Sequence, residues 1–141
     1  MINEELKLTG HVTVAVNYEI VQEIPNLVVT AGKGYVASRM KDDSASAMSH
    51  MAVGTDNSAA AAGDTALGTE SGRVALTSTT VSDNVITYVA TFPAGTATAT
   101  LVEAGVFNAS SSGTLLCRTV FAAVNKASSD AMTITWAITA S

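Results

Sequence analysis

The sequence predicts a mainly β protein, an antiparallel β-sandwich that is jelly-roll-like and carries one short helix. Three observations carry that expectation. Apolar and polar residues alternate with period two in several runs, turn residues punctuate those runs at short intervals, and a single stretch after Pro25 changes to helical spacing. At 141 residues the chain is long enough for a real core, and it reads as one domain over 1–141 in which 1–25 is an interface strand or arm.

The N-terminal run alternates cleanly. Leu6, Leu8, Val12, Val14, Val16, Tyr18 and Ile20 share one parity, while Lys7, Thr9, His11, Thr13, Asn17 and Glu19 take the other. This is a half-buried strand, longer than the usual ~5–6 residues. Either it bends near Gly10 or Asn17 into two strands, or part of it reaches another subunit. An apolar edge strand invites pairing with another chain, so the apolar set from Leu6 to Ile20 is the candidate interface.

In "NLVVTAGKGYVASRMKDD" Thr30 reads as an N-cap. Tyr35, Val36, Ala37 and Met40 form an apolar side of a short helix that stops at Asp42-Asp43, and Gly32 and Gly34 weaken its first turn. A brief strand, Met51–Gly54, leads into a Gly/Ala/Ser-rich stretch. There, Asp64 and Thr65 followed by Leu67 predict an ordered loop with a side-chain-capped turn and one apolar anchor.

From Arg73 the pattern is strand, turn, strand. "RVALTSTTV" and "VITYVATF" flank the hairpin signal Ser82-Asp83-Asn84, and apolar groups on both faces of the second mark it as a central strand. Pro93-Ala94-Gly95 makes the next turn. "TATATLVEAGVF" and "TLLCRTVFAAV" flank the loop Asn108–Gly113. The last strand, "AMTITWAITA", points Met132, Ile134, Trp136 and Ile138 inward.

Charged residues make up 13% of the chain, about half the usual ~25%, and the net charge is −5. No basic patch is present, so nucleic acid is not an expected partner. No run approaches the ~18 apolar residues of a membrane-spanning helix, and the opening "MINEELKLTG" has no apolar leader core, so neither a membrane span nor a signal peptide is expected. A surface poor in charge and rich in Ala, Thr and Ser suits an assembly component covered by partners. Cys117, the single cysteine, reads as a buried structural thiol.

Catalytic and metal motifs do not form. His11 and His50 have no second histidine at i+4, so zinc spacing is missing. Asp42-Asp43 lacks the alternating oxygen ligands of a calcium loop, "GKGYVAS" lacks phosphate-loop spacing, and no G-x-S-x-G occurs. No enzyme, cofactor or metal is expected. Glu103, alone inside an apolar run, is expected to be structural: Arg118 lies across a hairpin from it, and such a pair contributes roughly 0.2–1 kcal/mol while penalising slipped registers. Gly105 marks a bulge or a close approach.

The segments "NLVVTAGKGYVASRM", "MAVGTDNSAAAAGDTALGTESGR", "TYVATFPAG", "VEAGVFNASSSGTLLCRTVF" and "VNKASSDAMTITWAIT" together resemble a group of small virion proteins of tailed bacteriophages. In that group a "VGTG…APAAGDTALG" loop and an "EAGLFN…GG.LL.R..F" hairpin recur in this order. The resemblance spans roughly residues 26–139, and Asp56-Asn57 departs from the group's Gly-Thr. The chain is most similar to the capsid cement (decoration) proteins of short-tailed, Bordetella-type phages. What this implies is a protein made in the bacterial cytoplasm that ends on the outer capsid surface. Its implied partners are the major capsid protein and itself, a dimer being favoured, and its role is to stabilise the mature shell. A tail-fibre or baseplate module is the alternative. The resemblance implies no catalytic residues.

Overall fold

The computed structural model of the chain describes residues 4–41 and 45–141. The expected helix stop at Asp42-Asp43 lies outside the described residues. The elements, in chain order, are β1 (Leu8–Val16), β2 (Glu19–Pro25), β3 (Leu27–Val28), α1 (Thr30–Met40), β4 (His50–Gly54), β5 (Glu70–Ala75), β6 (Ser78–Ser82), β7 (Val85–Phe92), β8 (Ala99–Phe107), β9 (Leu115–Lys126) and β10 (Met132–Ala140). They form two antiparallel sheets of five strands, ordered β2-β1-β10-β7-β6 and β3-β9-β8-β4-β5. The architecture is a β-sandwich with one short helix.

Alternation builds the layer between the sheets. Met132, Ile134, Trp136 and Ile138 of β10 are buried, as are Val12 and Val14 of β1 and Tyr88, Ala90 and Phe92 of β7. From the other sheet they meet Leu101, Val106, Leu116, Phe121 and Val124 in one cluster. Burying a side chain of this size stabilises by about 1.5–3 kcal/mol, so this layer is the main source of folding free energy. Cys117 sits in the same layer, where burial pushes its thiol pKa up and makes it inert.

The long N-terminal run is two strands. Asn17 and Tyr18 both have positive φ, 50° and 68°, and make the two-residue turn between β1 and β2. Asn17 suits that conformation and also clamps the turn: its Nδ2 donates to Asp130 Oδ1 at 2.9 Å and its Oδ1 accepts the Ala131 N–H at 3.0 Å.

The expected interface strand needs correction. β1 is not an edge, because it pairs with β2 on one side and with β10 over the whole run from Leu8 to Val16 on the other. Val12 and Val14 have no exposed surface, and Leu8 and Val16 pack against the same core. Those four residues serve the chain's own sandwich. Leu6, Tyr18 and Ile20 are exposed.

Two further expectations shift. Val29, not Thr30, is the N-cap of α1, with no side-chain cap bond; the Thr30 N–H donates instead to Ala62 O at 2.8 Å. "RVALTSTTV" is not one strand. The Leu76 N–H bonds to Ser49 O and the next N–H, of Thr77, bonds to Val89 O, so the chain changes sheets between adjacent residues.

Helix α1 lies against β9, and Gly32 is its buried residue. A Cβ there would come within 2.0 Å of Leu116 O, a backbone atom that cannot step aside. Gly32→Ala therefore sets a better helix former, worth about 1 kcal/mol, against overpacking worth about 1–3 kcal/mol. The expected outcome is net destabilisation, read as a lower denaturant midpoint with an unchanged m-value.

Candidate functional site

The densest polar constellation lies where β4, β8 and β9 meet the loop 55–69. A bulge in the β8–β9 ladder at Leu101/Glu103 sets Glu103 opposite Val120, and Gly105 opposite Arg118. Glu103 and Arg118 are thus diagonal neighbours rather than direct partners, and their long side chains close the gap.

Glu103 has no exposed surface. Its Oε2 accepts the backbone N–H groups of Asp56 at 3.0 Å and Thr69 at 2.9 Å, and its Oε1 accepts that of Gly68 at 2.9 Å. Arg118 completes the set, with Nε donating to Oε1 at 3.1 Å and Nη2 at 3.0 Å from the same oxygen. Arg118 then reaches outward: Nη1 donates to Asp64 Oδ2 at 3.1 Å and Nη2 to Asp56 O at 3.4 Å. Asp64 Oδ2 also accepts the Ala61 N–H at 2.9 Å, which is the side-chain-capped turn expected from the sequence. The Asp56 carboxyl is held below the usual carboxylate range, chiefly by the Ser58 N–H.

Space around this centre is equally constrained. A Cβ on Gly54 would lie 2.1 Å from Thr69 O and 2.6 Å from Glu103 Oε2. Gly105 leaves room for Leu67, whose Cδ2 would be 2.9 Å from a Cβ at that position. Leu67 enters a separate apolar niche made by Val29, Ala52, Phe107 and Leu115, so it is the anchor expected of this loop.

A second arginine guards the niche from the other side. Arg73 grips Glu70 through Nη2–Oε1 at 2.7 Å and Nε–Oε2 at 3.1 Å, and lies 3.8 Å from the centroid of the Phe107 ring. Its Nη1 donates to Ala109 O and Ser112 O, both at 2.9 Å, and so holds the β8–β9 loop. Lys126 is also buried, donating to Pro93 O at 2.9 Å; burial pulls its pKa down, against the opposing pull of Asp130. Sequence reasoning missed Arg73 and Lys126. The one signal was that, like Arg118, each stands beside or within an apolar run.

The chemistry open to this centre is limited by saturation. With four hydrogen bonds on two oxygens and a further ion contact from Arg118 Nη2, Glu103 has its acceptor sites filled, so the geometry makes it a tether for the loop rather than an acid or base. The histidines are far apart in the fold: His11 on β1 faces Glu23 at 3.2 Å, and His50 on β4 pairs with Ser49 Oγ at 2.7 Å. "GKGYVAS" lies inside α1. Among the described residues no group of three His, Cys, Asp or Glu is placed to hold a metal ion.

The outer surface carries two apolar regions, one at each end of β1. At the first, a groove of about 530 Å³ runs between the start of β1, β3 and α1; Leu6, Leu8, Val28, Val36 and Met40 are among its lining residues. At the second, Tyr18, Ile20 and Val21 project from the β1–β2 hairpin, Tyr18 being 99% exposed. Of the sequence-expected interface set, the structure therefore brings Leu6 and Leu8 to one end and Tyr18 and Ile20 to the other. Comparison with protein families, curated proteins and solved structures finds no match to the chain.

Glu103→Gln should be costly, well above the range expected of a simple cross-strand pair. Whichever way the amide turns, its NH₂ faces N–H donors, and buried Arg118 keeps only the partly exposed Asp64 as counter-charge; breaking a buried pair costs about 3–5 kcal/mol, and Asp64 keeps this one toward the lower end. Equilibrium unfolding in denaturant measures it. Leu67→Ala should leave the Glu103 bonds in place and loosen the loop, so that limited proteolysis cuts within Ala59–Gly63 several-fold faster than in the wild type.

Proposed function

We propose that the chain is a capsid cement protein of a tailed bacteriophage, bound to the outside of the major-capsid lattice and stabilising the mature shell. Two lines support this reading. One is the sequence resemblance over residues 26–139. The other, which carries it, is the pair of exposed apolar surfaces at the two ends of β1. Nine residues at ~3.4 Å each set them about 30 Å apart. A rigid body with an adhesive surface at each end bridges neighbouring subunits, and its bound state is favoured by mass action because only the assembled lattice offers both contacts at once.

The role asks for no chemistry. Glu103 and Arg118 hold the loop, and the contacts to the capsid come from Leu6 and Met40 at the groove and from Tyr18, Ile20 and Val21 at the hairpin. Because β1 is an inner strand of its sheet, truncating the N-terminal segment would disturb folding as well as binding. Point variants separate folding from binding.

Quantitative mass spectrometry of purified virions should find the chain at hundreds of copies, in fixed ratio to the major capsid protein. Tens or fewer would replace this reading with a tail-fibre or baseplate role. In a re-addition assay, Tyr18→Asp alone and Leu6→Asp alone should each lower shell occupancy by roughly tenfold or more, since losing one end removes the avidity of the other.

A further inference from the structure

The two sheets end in four edge strands, and three of them are guarded against pairing. β2 carries Glu19, Glu23 and Pro25, and its ladder to β1 is bulged at Val14/Ala15. β3 is two residues long. β5 carries Glu70 and Arg73, is bulged at Val53/Gly54, and has Ala97 packed against Gly72, where a Cβ would meet it at 2.8 Å. Charge, proline, shortness, bulging and cover are the usual devices that stop sheets from adding strands.

β6 has none of them. Ser78-Thr79-Thr80-Val81-Ser82 contains no charge and no proline, and it pairs with β7 in unbroken register from Ser78↔Val89 to Ser82↔Val85. All five residues are exposed, and Val81 keeps 71% of its surface although it lies opposite Ile86 in the sheet. The strand overhangs the core; among the described residues β7 pairs with it on one side and no strand pairs with it on the other, so alternate backbone N–H and C=O groups face outward.

We propose that β6 is a self-association edge: two copies of this chain pair β6 with β6 antiparallel about a two-fold axis through Thr80, joining two five-stranded sheets into one of ten. The sequence of the edge favours a second copy over a foreign strand. On that axis Thr80 meets Thr80, Thr79 meets Val81 and Ser78 meets Ser82, all small or β-branched and none charged. One step further out, Asp83 meets Thr77 and no like charges face each other. The same operation on β2 about Val21 would set Glu19 against Glu23. Five residues make a short interface, so the dimer is concentration-dependent in solution. This inference does not depend on the capsid reading, because it uses neither end of β1.

Sedimentation velocity of the full chain, from micromolar to millimolar concentration, should show a shift from monomer mass to twice that mass. Val81→Lys should abolish the shift while keeping the wild-type circular dichroism and melting curve. Thr80→Cys, on the axis, should oxidise in air to a disulfide-linked dimer, whereas Val21→Cys on the β2 edge should not, Cys117 being buried and inert in both. A wild type that stays monomeric at the highest concentration overturns the proposal. So does a dimer that survives Val81→Lys, or cross-linking at residue 80 no faster than at residue 21.

Discussion

A single buried carboxylate gathers backbone N–H groups from three separate points of one loop, and much of the molecule is arranged around it. The loop 55–69 folds over the end of the β4–β8–β9 layer, and in doing so turns the N–H groups of Asp56, Gly68 and Thr69 inward. An N–H left unpaired and shut off from water costs about 1–3 kcal/mol, and these part-buried groups escape that cost through one acceptor. Glu103 accepts all three, and Arg118 offsets the cost of burying its charge. The requirement propagates outward from there. Gly54 must lack a side chain so that Thr69 and the carboxylate can approach, and Gly105 must be small so that Leu67 can seat. Asp64 must be acidic because Arg118 has donors left over. Even α1 depends on this centre, since its first N–H is taken by Ala62 O from the same loop.

The use of positive charge follows the same logic. The chain has seven Lys and Arg. Arg118, Arg73 and Lys126 turn inward and donate to carbonyls and carboxylates that loops would otherwise leave unpaired. The remaining four, Lys7, Lys33, Arg39 and Lys41, are exposed, and all lie on α1, just after it, or at the start of β1. A low charge content thus leaves most of the outside to Thr, Ser, Ala and a few large apolar side chains. Such a surface is poorly defended in a free monomer and well suited to being covered.

How much of this the sequence made legible depended on whether local pattern or long-range closure decided the matter. β7 and β10, the hairpin at Asp83-Asn84 and the Leu67 anchor were legible, because alternation and turn chemistry act over a few residues. The Glu103–Arg118 pair was legible too, since a lone acid and a lone base in facing apolar runs have few other partners. Its strength was not, because the three backbone donors come from residues 56, 68 and 69, far away in the chain. The sheet switch at Leu76-Thr77 was hidden for the same reason: nothing local distinguishes a strand that continues from one that changes neighbours. For β1, parity identified an apolar face correctly but could not say whether that face would be buried in the chain's own sandwich or in another chain.

That correction changes what kind of connector the proposed role would call on. An N-terminal arm reaching from a finished domain would be a flexible tether, adding affinity through proximity but fixing no distance. β1 is instead locked to β10 from Leu8↔Ala140 to Val16↔Met132 and to β2 on its other side, with Val12 and Val14 sealed in the core. The groove at one end and the hairpin at the other are therefore carried on a single stiff strand. Neither can shift along the strand axis without slipping a register that the period-two burial pattern forbids. A connector built this way holds its two contact surfaces at a set spacing and orientation. It can favour one geometry of the surfaces it joins over another, which is what stabilising a mature lattice relative to its precursors would require.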